Sequence, residues 1–286
     1  MRDSQLRGRF LFFWRLGYYT FMIKRIAVVV AHPEDVAWAM GGTLAKYAKA
    51  GAHIDILCAV QGGRGQKELE AAGTILGCSS LTFFEYKEGV LPAVNPGELE
   101  DIIFRKLVEL TPNCIITFET GGINNDPDHM KVTVATTVAF QKYAASAELV
   151  LQKGIGPLNP PRHARDVWQI SFAQTIANEE DTKLYYACMP ESIGEYLKKR
   201  KIIADESFDK PMRGTPDKKV TTVIDIERFR ATKTKAMQAH RSQKEEVDTL
   251  VSLPHNPLLK QEFFYLRMQG TNEVFMGKED RVSNRL

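Results

Sequence analysis

The sequence lacks paired cysteines, a long apolar run and any strong excess of one charge. Its four cysteines, Cys58, Cys78, Cys114 and Cys188, are widely spaced and form no CxxC pattern. This excludes a disulfide framework and leads us to expect a reduced, cytoplasmic protein. The 38 basic and 35 acidic residues leave a formal charge of only +3, without a basic stripe, so no nucleic-acid footprint is expected. No repeat or low-complexity tract is present. The glycine fingerprint GxGxxG is missing after the first apolar run, which excludes a dinucleotide site, and Gly62-Gly63-Arg64-Gly65 matches no phosphate-binding loop.

The N-terminus is the most apolar stretch, yet Arg15 splits it into Phe10–Trp14 and Leu16–Phe21, and no A-x-A site follows. It is neither a signal peptide nor close to the ~20 apolar residues of a membrane span, so no stable membrane insertion is expected. We expect residues 1–21 to be an extension outside the fold, with one α/β domain over 22–286. Met22 is an alternative start, because Met22-Ile23-Lys24-Arg25-Ile26 leads straight into the first strand.

What the chain does have is alternation. Arg25–Ala31, His53–Val60, Leu81–Tyr86 and Cys114–Phe118 are short, β-rich apolar runs. Between them Val36–Ala50, Lys67–Leu76 and Gly97–Leu110 repeat apolar residues at helical spacing. This pattern predicts a Rossmann-like, mostly parallel sheet flanked by helices, with a C-terminal elaboration. Further strands are expected at Val167–Ala173, Lys183–Ala187 and Thr221–Ile226, and one long amphipathic helix at Ile226–Val247. Gly154–Arg165 reads as a proline-rich loop and 203–219 as an exposed excursion. Loops 87–96, 154–166 and 203–219 are the expected pocket walls.

Two clusters fall beyond the carboxyl ends of predicted strands, where open α/β sheets bind ligands. His32, Glu34 and Asp35 follow the first strand; Asn124, Asn125, Asp126, Asp128 and His129 follow the fourth. Imidazole with carboxylate is a zinc donor set, and three protein ligands leave a position open. Taken alone, Asp35 reads equally well as a helix cap, and His129 as a surface or capping residue.

The two clusters stand as AHPEDV (31–36) and DPDH (126–129), and they resemble the AHPDDE and HPDH motifs of the LmbE-like, PIG-L-type zinc-dependent de-N-acetylases. Thr117–Ile123, Glu68–Gly77, Lys183–Tyr186 and Lys235–Gln243 (KAMQAHRSQ) resemble further motifs of that superfamily, in the same order. The resemblance implies one zinc, or another divalent metal, per chain on His32, Asp35 and His129. It implies Glu34 as general base, Asp128 as support, and His240 in the pocket. The implied reaction is removal of an N-acetyl group from an amino sugar or glycoconjugate, in which the metal acidifies water and polarises the carbonyl. Trimers or hexamers fit the resemblance too. Three residues depart from it: Glu34 replaces an aspartate, Val36 a glutamate, and Asp126 the histidine expected to donate to the oxyanion. An ionised aspartate cannot donate, so Asn124, Asn125 or Arg64 become candidate donors. The alternative reading is a metal-binding homologue that holds a sugar without hydrolysing it.

Overall fold

The computed structural model describes residues 24–61, 63–153, 182–274 and 283–286. Its sheet is built from β1 (Arg25–Val30), β2 (His53–Val60), β3 (Ser80–Tyr86), β4 (Cys114–Phe118) and β5 (Lys183–Cys188), all parallel, in the order β3-β2-β1-β4-β5. The longer helices among the described residues are α1 (Asp35–Lys49), α2 (Gly63–Leu76), α3 (Pro96–Leu110), α4 (Pro127–Lys153), α5 (Glu191–Lys198), α6 (Arg230–Ala239) and α7 (Lys244–Ser252). The C-terminal elaboration extends the sheet antiparallel through β9 (Gln261–Gln269), which pairs with β5, with β8 (Thr222–Asp225) and with the short β10 (Asn272–Glu273). Strands β1 and β4 are buried on both faces, as their unbroken apolar runs require.

This order places the site. The chain moves outward from β1 to β2 and β3, then returns to β4 on the other side of β1. Right-handed crossovers therefore put the helices of the two halves on opposite faces. Accordingly α1, α2 and α6 pack together, and α3 packs on α4. A crevice opens at the carboxyl ends of β1 and β4, where the direction of winding switches. Both motif clusters leave the sheet there.

Several expectations need correction. Helix α2 begins at Gly63 rather than Lys67, so Arg64 sits in its first turn and not in a loop. Gly65 lets that turn pass close to Pro33: a Cβ there would lie 3.0 Å from the proline Cγ. The predicted helix over Ile226–Val247 is two helices, α6 and α7, broken at His240, whose ψ of 75° is not helical. Ser242 leaves the helical ladder because its N–H and hydroxyl both bind the Glu68 carboxylate. Residues 203–219 are not wholly exposed; Met212 is buried against α5 and Ile203 packs beside it. The strand expected at Val167–Ala173 and the loop at Gly154–Arg165 lie outside the described residues. Among those residues no helix is long and apolar enough to cross a membrane.

Candidate metal centre

The segment leaving β1 is closed by its own aspartate: the His32 N–H donates to Asp35 Oδ2 at 2.7 Å. Asp35 also opens α1, where a carboxylate meets the positive end of the helix. The segment leaving β4 turns more sharply. Glu119 accepts from the N–H groups of Gly121 (2.9 Å) and Ile123 (3.0 Å), folding the chain back over itself. Gly122 has φ +67°, and a Cβ there would come within 2.8 Å of the His129 Cβ, so only glycine fits. Ile123 and Asn125 are also left-handed, at φ 66° and 63°. Such strain in non-glycine residues costs on the order of 1–3 kcal/mol each and clusters at functional sites. Asp126 then caps α4, its Oδ1 accepting from the Asp128 N–H at 2.8 Å, with Pro127 in the first helical position.

These turns bring together three donor side chains from two distant segments. His32 Nδ1 lies 3.1 Å from His129 Nε2, His129 Nε2 3.2 Å from Asp35 Oδ1, and His32 Nδ1 3.9 Å from Asp35 Oδ2. Ligands 2.0–2.1 Å from a tetrahedral zinc are ~3.3 Å apart, so the triangle fits a metal with little adjustment. The far nitrogens are held as metal-ligating imidazoles require: His32 Nε2 meets Asp128 Oδ2 at 3.2 Å, and His129 Nδ1 donates to the Gly122 carbonyl at 2.9 Å. Asp128 is itself fixed by the Gly89 N–H at 2.6 Å. Phe118 stacks on the His129 ring, with centroids 4.3 Å apart. A second grouping, His32 with Asp126 and Asp128, also lies within ligand reach. It fits less well, because those carboxylates are already committed to the helix cap and to His32 Nε2.

The charges follow the geometry. Burial opposes charging of both Asp35 and His129, but their mutual attraction overrides it. Asp35 is held below the usual carboxylate range, and His129 is raised to about 9 with help from the Gly122 carbonyl. Glu34 behaves oppositely: burial, and then the charge of Asp35, push its carboxyl up.

Residues 27–140, which contain all of these donors, match the family described as PIG-L, the GlcNAc-PI de-N-acetylases. The chain is 26% identical over 270 residues to a 1D-myo-inositol 2-acetamido-2-deoxy-alpha-D-glucopyranoside deacetylase of Kineococcus radiotolerans, covering 77% of this chain and 69% of that protein. It is 27% identical over 135 residues to a probable N-acetyl-alpha-D-glucosaminyl L-malate deacetylase of Bacillus anthracis, covering 41% and 60%. Among solved structures, the N,N'-diacetylchitobiose deacetylase of Pyrococcus horikoshii superposes with a TM-score of 0.55 at 15% identity, covering 97% of this chain and 98% of that one. The 4-carboxy-2-hydroxymuconate hydratase of Pseudomonas putida superposes with a TM-score of 0.54 at 15% identity, covering 88% and 100%. At such identities these two structures speak for the fold alone.

Around the three donor groups lies a cavity of about 370 Å³, whose lining includes Glu34, Glu88, Asn124 and Asp126. Other candidates from the sequence lie elsewhere. Arg64 lines a separate cavity of about 770 Å³ with Lys67, Lys235 and Arg241. Asn125 spends its amide on the hairpin formed by β6 (Glu206–Ser207) and β7 (Lys210–Pro211), donating to the carbonyls of Lys210 and Pro211, both at 3.2 Å. It pins this strap, which runs directly into the pocket-lining Met212.

His240 is fully buried behind Glu68, and neither of its ring nitrogens has a hydrogen-bond partner among the described residues. Burial lowers its pKa, and the charges of Glu68 and Asp35 only partly offset this. Below its ordinary pKa of about 6.5 the unfolded chain takes up a proton that the fold refuses, so His240's contribution to stability is lost as pH falls. Unfolding midpoints measured from pH 7 to pH 5 are expected to drop less steeply in His240→Phe than in the parent. Parallel slopes would exclude His240 as the source.

Two residues that sequence reasoning missed line the pocket floor. Lys233 and Glu262 are both buried and paired at 2.7 Å. The signal was available: the K-x-x-A-x-x-x-H spacing runs from Lys233 through Ala236 to His240, rather than from Lys235.

Proposed function

We propose that the protein is a zinc-dependent hydrolase that removes an N-acyl group from an amino sugar or related small amide. The observation that carries this is the triangle of His32, Asp35 and His129, with both far imidazole nitrogens held and a half-buried carboxylate, Glu34, beside it. The names of the relatives support the substrate class. Two nitrogens and an oxygen suit zinc and leave a fourth position open. A metal held there would acidify water and polarise an amide carbonyl.

The chain's own groups supply the rest. Glu34 takes the proton from the attacking water, and its raised pKa brings its basicity closer to the operating pH. It then returns the proton to the departing amine. Asp128 orients His32. With Asp126 committed to the helix cap, Asn124 is the oxyanion donor: its Oδ1 accepts from the Asp126 N–H at 3.2 Å, leaving its amide N–H groups for the pocket. One such donor is typically worth ~10²–10³ in kcat.

A second reading has one specific support. Asp126 stands in place of a histidine of the motif and caps α4, so a metal-holding protein that binds its ligand without turnover is the alternative. Purified protein from zinc-replete medium is expected to carry about one zinc per chain and to release acid and amine from N-acylated amino sugars. His129→Ala is expected to lose both. Zinc without turnover would favour the binding protein, and no zinc at all would end both readings.

A further inference from the structure

We propose that the acyl group this site removes is a chain longer than acetyl, seated in the apolar end of the pocket. The inference rests on the hydrolase reading above and concerns which side of the amide faces which end of the cavity.

The two ends differ in chemistry and in exposure. Glu34, Glu88 and Asp126 stand at the metal end, where Glu88 is exposed and the other two are half-exposed. The rest of the lining includes Met189, Leu197, Met212, Leu250, Leu258 and Phe263, and Gln243 and the exposed Glu246 also reach the pocket, one turn and more before Leu250. Of the six apolar side chains all but Leu258 are buried, and they come from the exit of β5, α5, the segment after the hairpin, α7, the turn before β9 and β9 itself. The polar pair on the floor there is self-contained. Lys233 Nζ donates to Glu262 at 2.7 Å and to the Leu258 carbonyl at 3.0 Å, and Glu262 also accepts from the N–H groups of Gly42 and Thr43.

A sugar ring placed in this end would bury hydroxyls against methyl and thioether groups, leaving them without partners. A hydrocarbon chain gains with every methylene removed from water. An acetyl group adds a single methyl beyond the carbonyl. That is about the ~30 Å³ share of one water molecule, a small part of the roughly 370 Å³ that the whole pocket, metal end included, encloses. The acidic end suits the other product, because hydrolysis leaves an amine that is protonated at neutral pH. The step balances: water oxygen joins the acyl carbon, the C–N bond breaks, and the nitrogen keeps the electron pair and gains both of the water's protons. The products are a fatty carboxylate and an ammonium.

The test is a chain-length series of N-acylglucosamines, from acetyl to octanoyl, assayed on the zinc-loaded protein. The expected result is a rise in kcat/KM of about fourfold per methylene until the slot is full. The octyl glycoside of N-acetylglucosamine carries its chain on the amine side and should show no such gain. Ile203→Trp, on the strap, narrows the slot and should lower the octanoyl-to-acetyl ratio by at least about tenfold, with thermal unfolding as the check on folding. A flat or falling series overturns the proposal, and so does a gain confined to the octyl glycoside. If no amide is turned over, the hydrolase reading has failed on its own terms. Calorimetric titration with N-octanoyl- and N-acetylglucosamine then decides the slot: a chain-length gain in affinity upholds it, and equal affinities overturn it.

Discussion

Glu34→Gln is expected to lower kcat by ~10²–10⁴-fold while leaving the zinc content and the fold unchanged. The side chain keeps its size and its place in the pocket wall, so what is lost is the site that accepts a proton. Glu34 is not part of the donor triangle. His32, Asp35 and His129 close that triangle without it, which is why metal retention separates a missing base from a damaged site. Burial and then the charge of Asp35 raise its pKa, the direction that suits a general base. Glu34→Asp is expected to lie between the two, because the carboxylate survives with its reach shortened by one methylene. Steady-state kinetics with metal analysis on the same preparations provide the check. A Gln variant with zinc bound and full turnover would remove Glu34 from the mechanism.

Lys233→Met is expected to cost about 3–5 kcal/mol of folding stability, the range for removing one partner of a buried ion pair. The ammonium is shut in with Glu262, whose oxygens also accept from Gly42 N–H at 2.9 Å and Thr43 N–H at 2.7 Å. The carboxylate thus holds β9 against the middle of α1, and the lysine neutralises it. Gly42 permits this contact, since a Cβ there would lie 2.5 Å from Ile226 Cδ1. Without the lysine the carboxylate stays buried and unpaired. The double variant Lys233→Met/Glu262→Gln should therefore lose less than the sum of the two single changes. Denaturant unfolding at constant m value reads all three. A loss below about 1 kcal/mol for Lys233→Met would show that water reaches the pair.

Much of this architecture was legible because its elements are locally consistent. Strands β1, β2 and β4 announce themselves as uninterrupted apolar runs, and α1 and α3 as periodic ones. Strand β9 escaped notice because Gln261, Glu262 and Arg267 break the apolar run QEFFYLRMQ. A buried glutamate is tolerable only where a cation meets it, and that cation stands 29 residues away. The break at His240 was hidden for a similar reason. Residues 226–247 keep helical spacing, and only the competing carboxylate of Glu68, 174 residues from Ser242, draws the chain out of the helix.

The sequence by itself determined the chemistry available to the site. It placed a histidine, two adjacent carboxylates and a proline turn after one strand, and carboxylates with a second histidine after another. It also determined the turn that aims them, since Asp35 closes on His32 three residues away and Gly122 makes room for His129. The tertiary structure alone decided which of these groups meet. His32 and His129 are 97 residues apart and converge because β4 returns beside β1 at the switch in winding. The same tertiary structure drew Arg64 into another cavity, gave Asn125 to the strap and lined one end of the pocket with buried apolar side chains. Contacts of that range follow from strand order and helix packing, which no local pattern encodes.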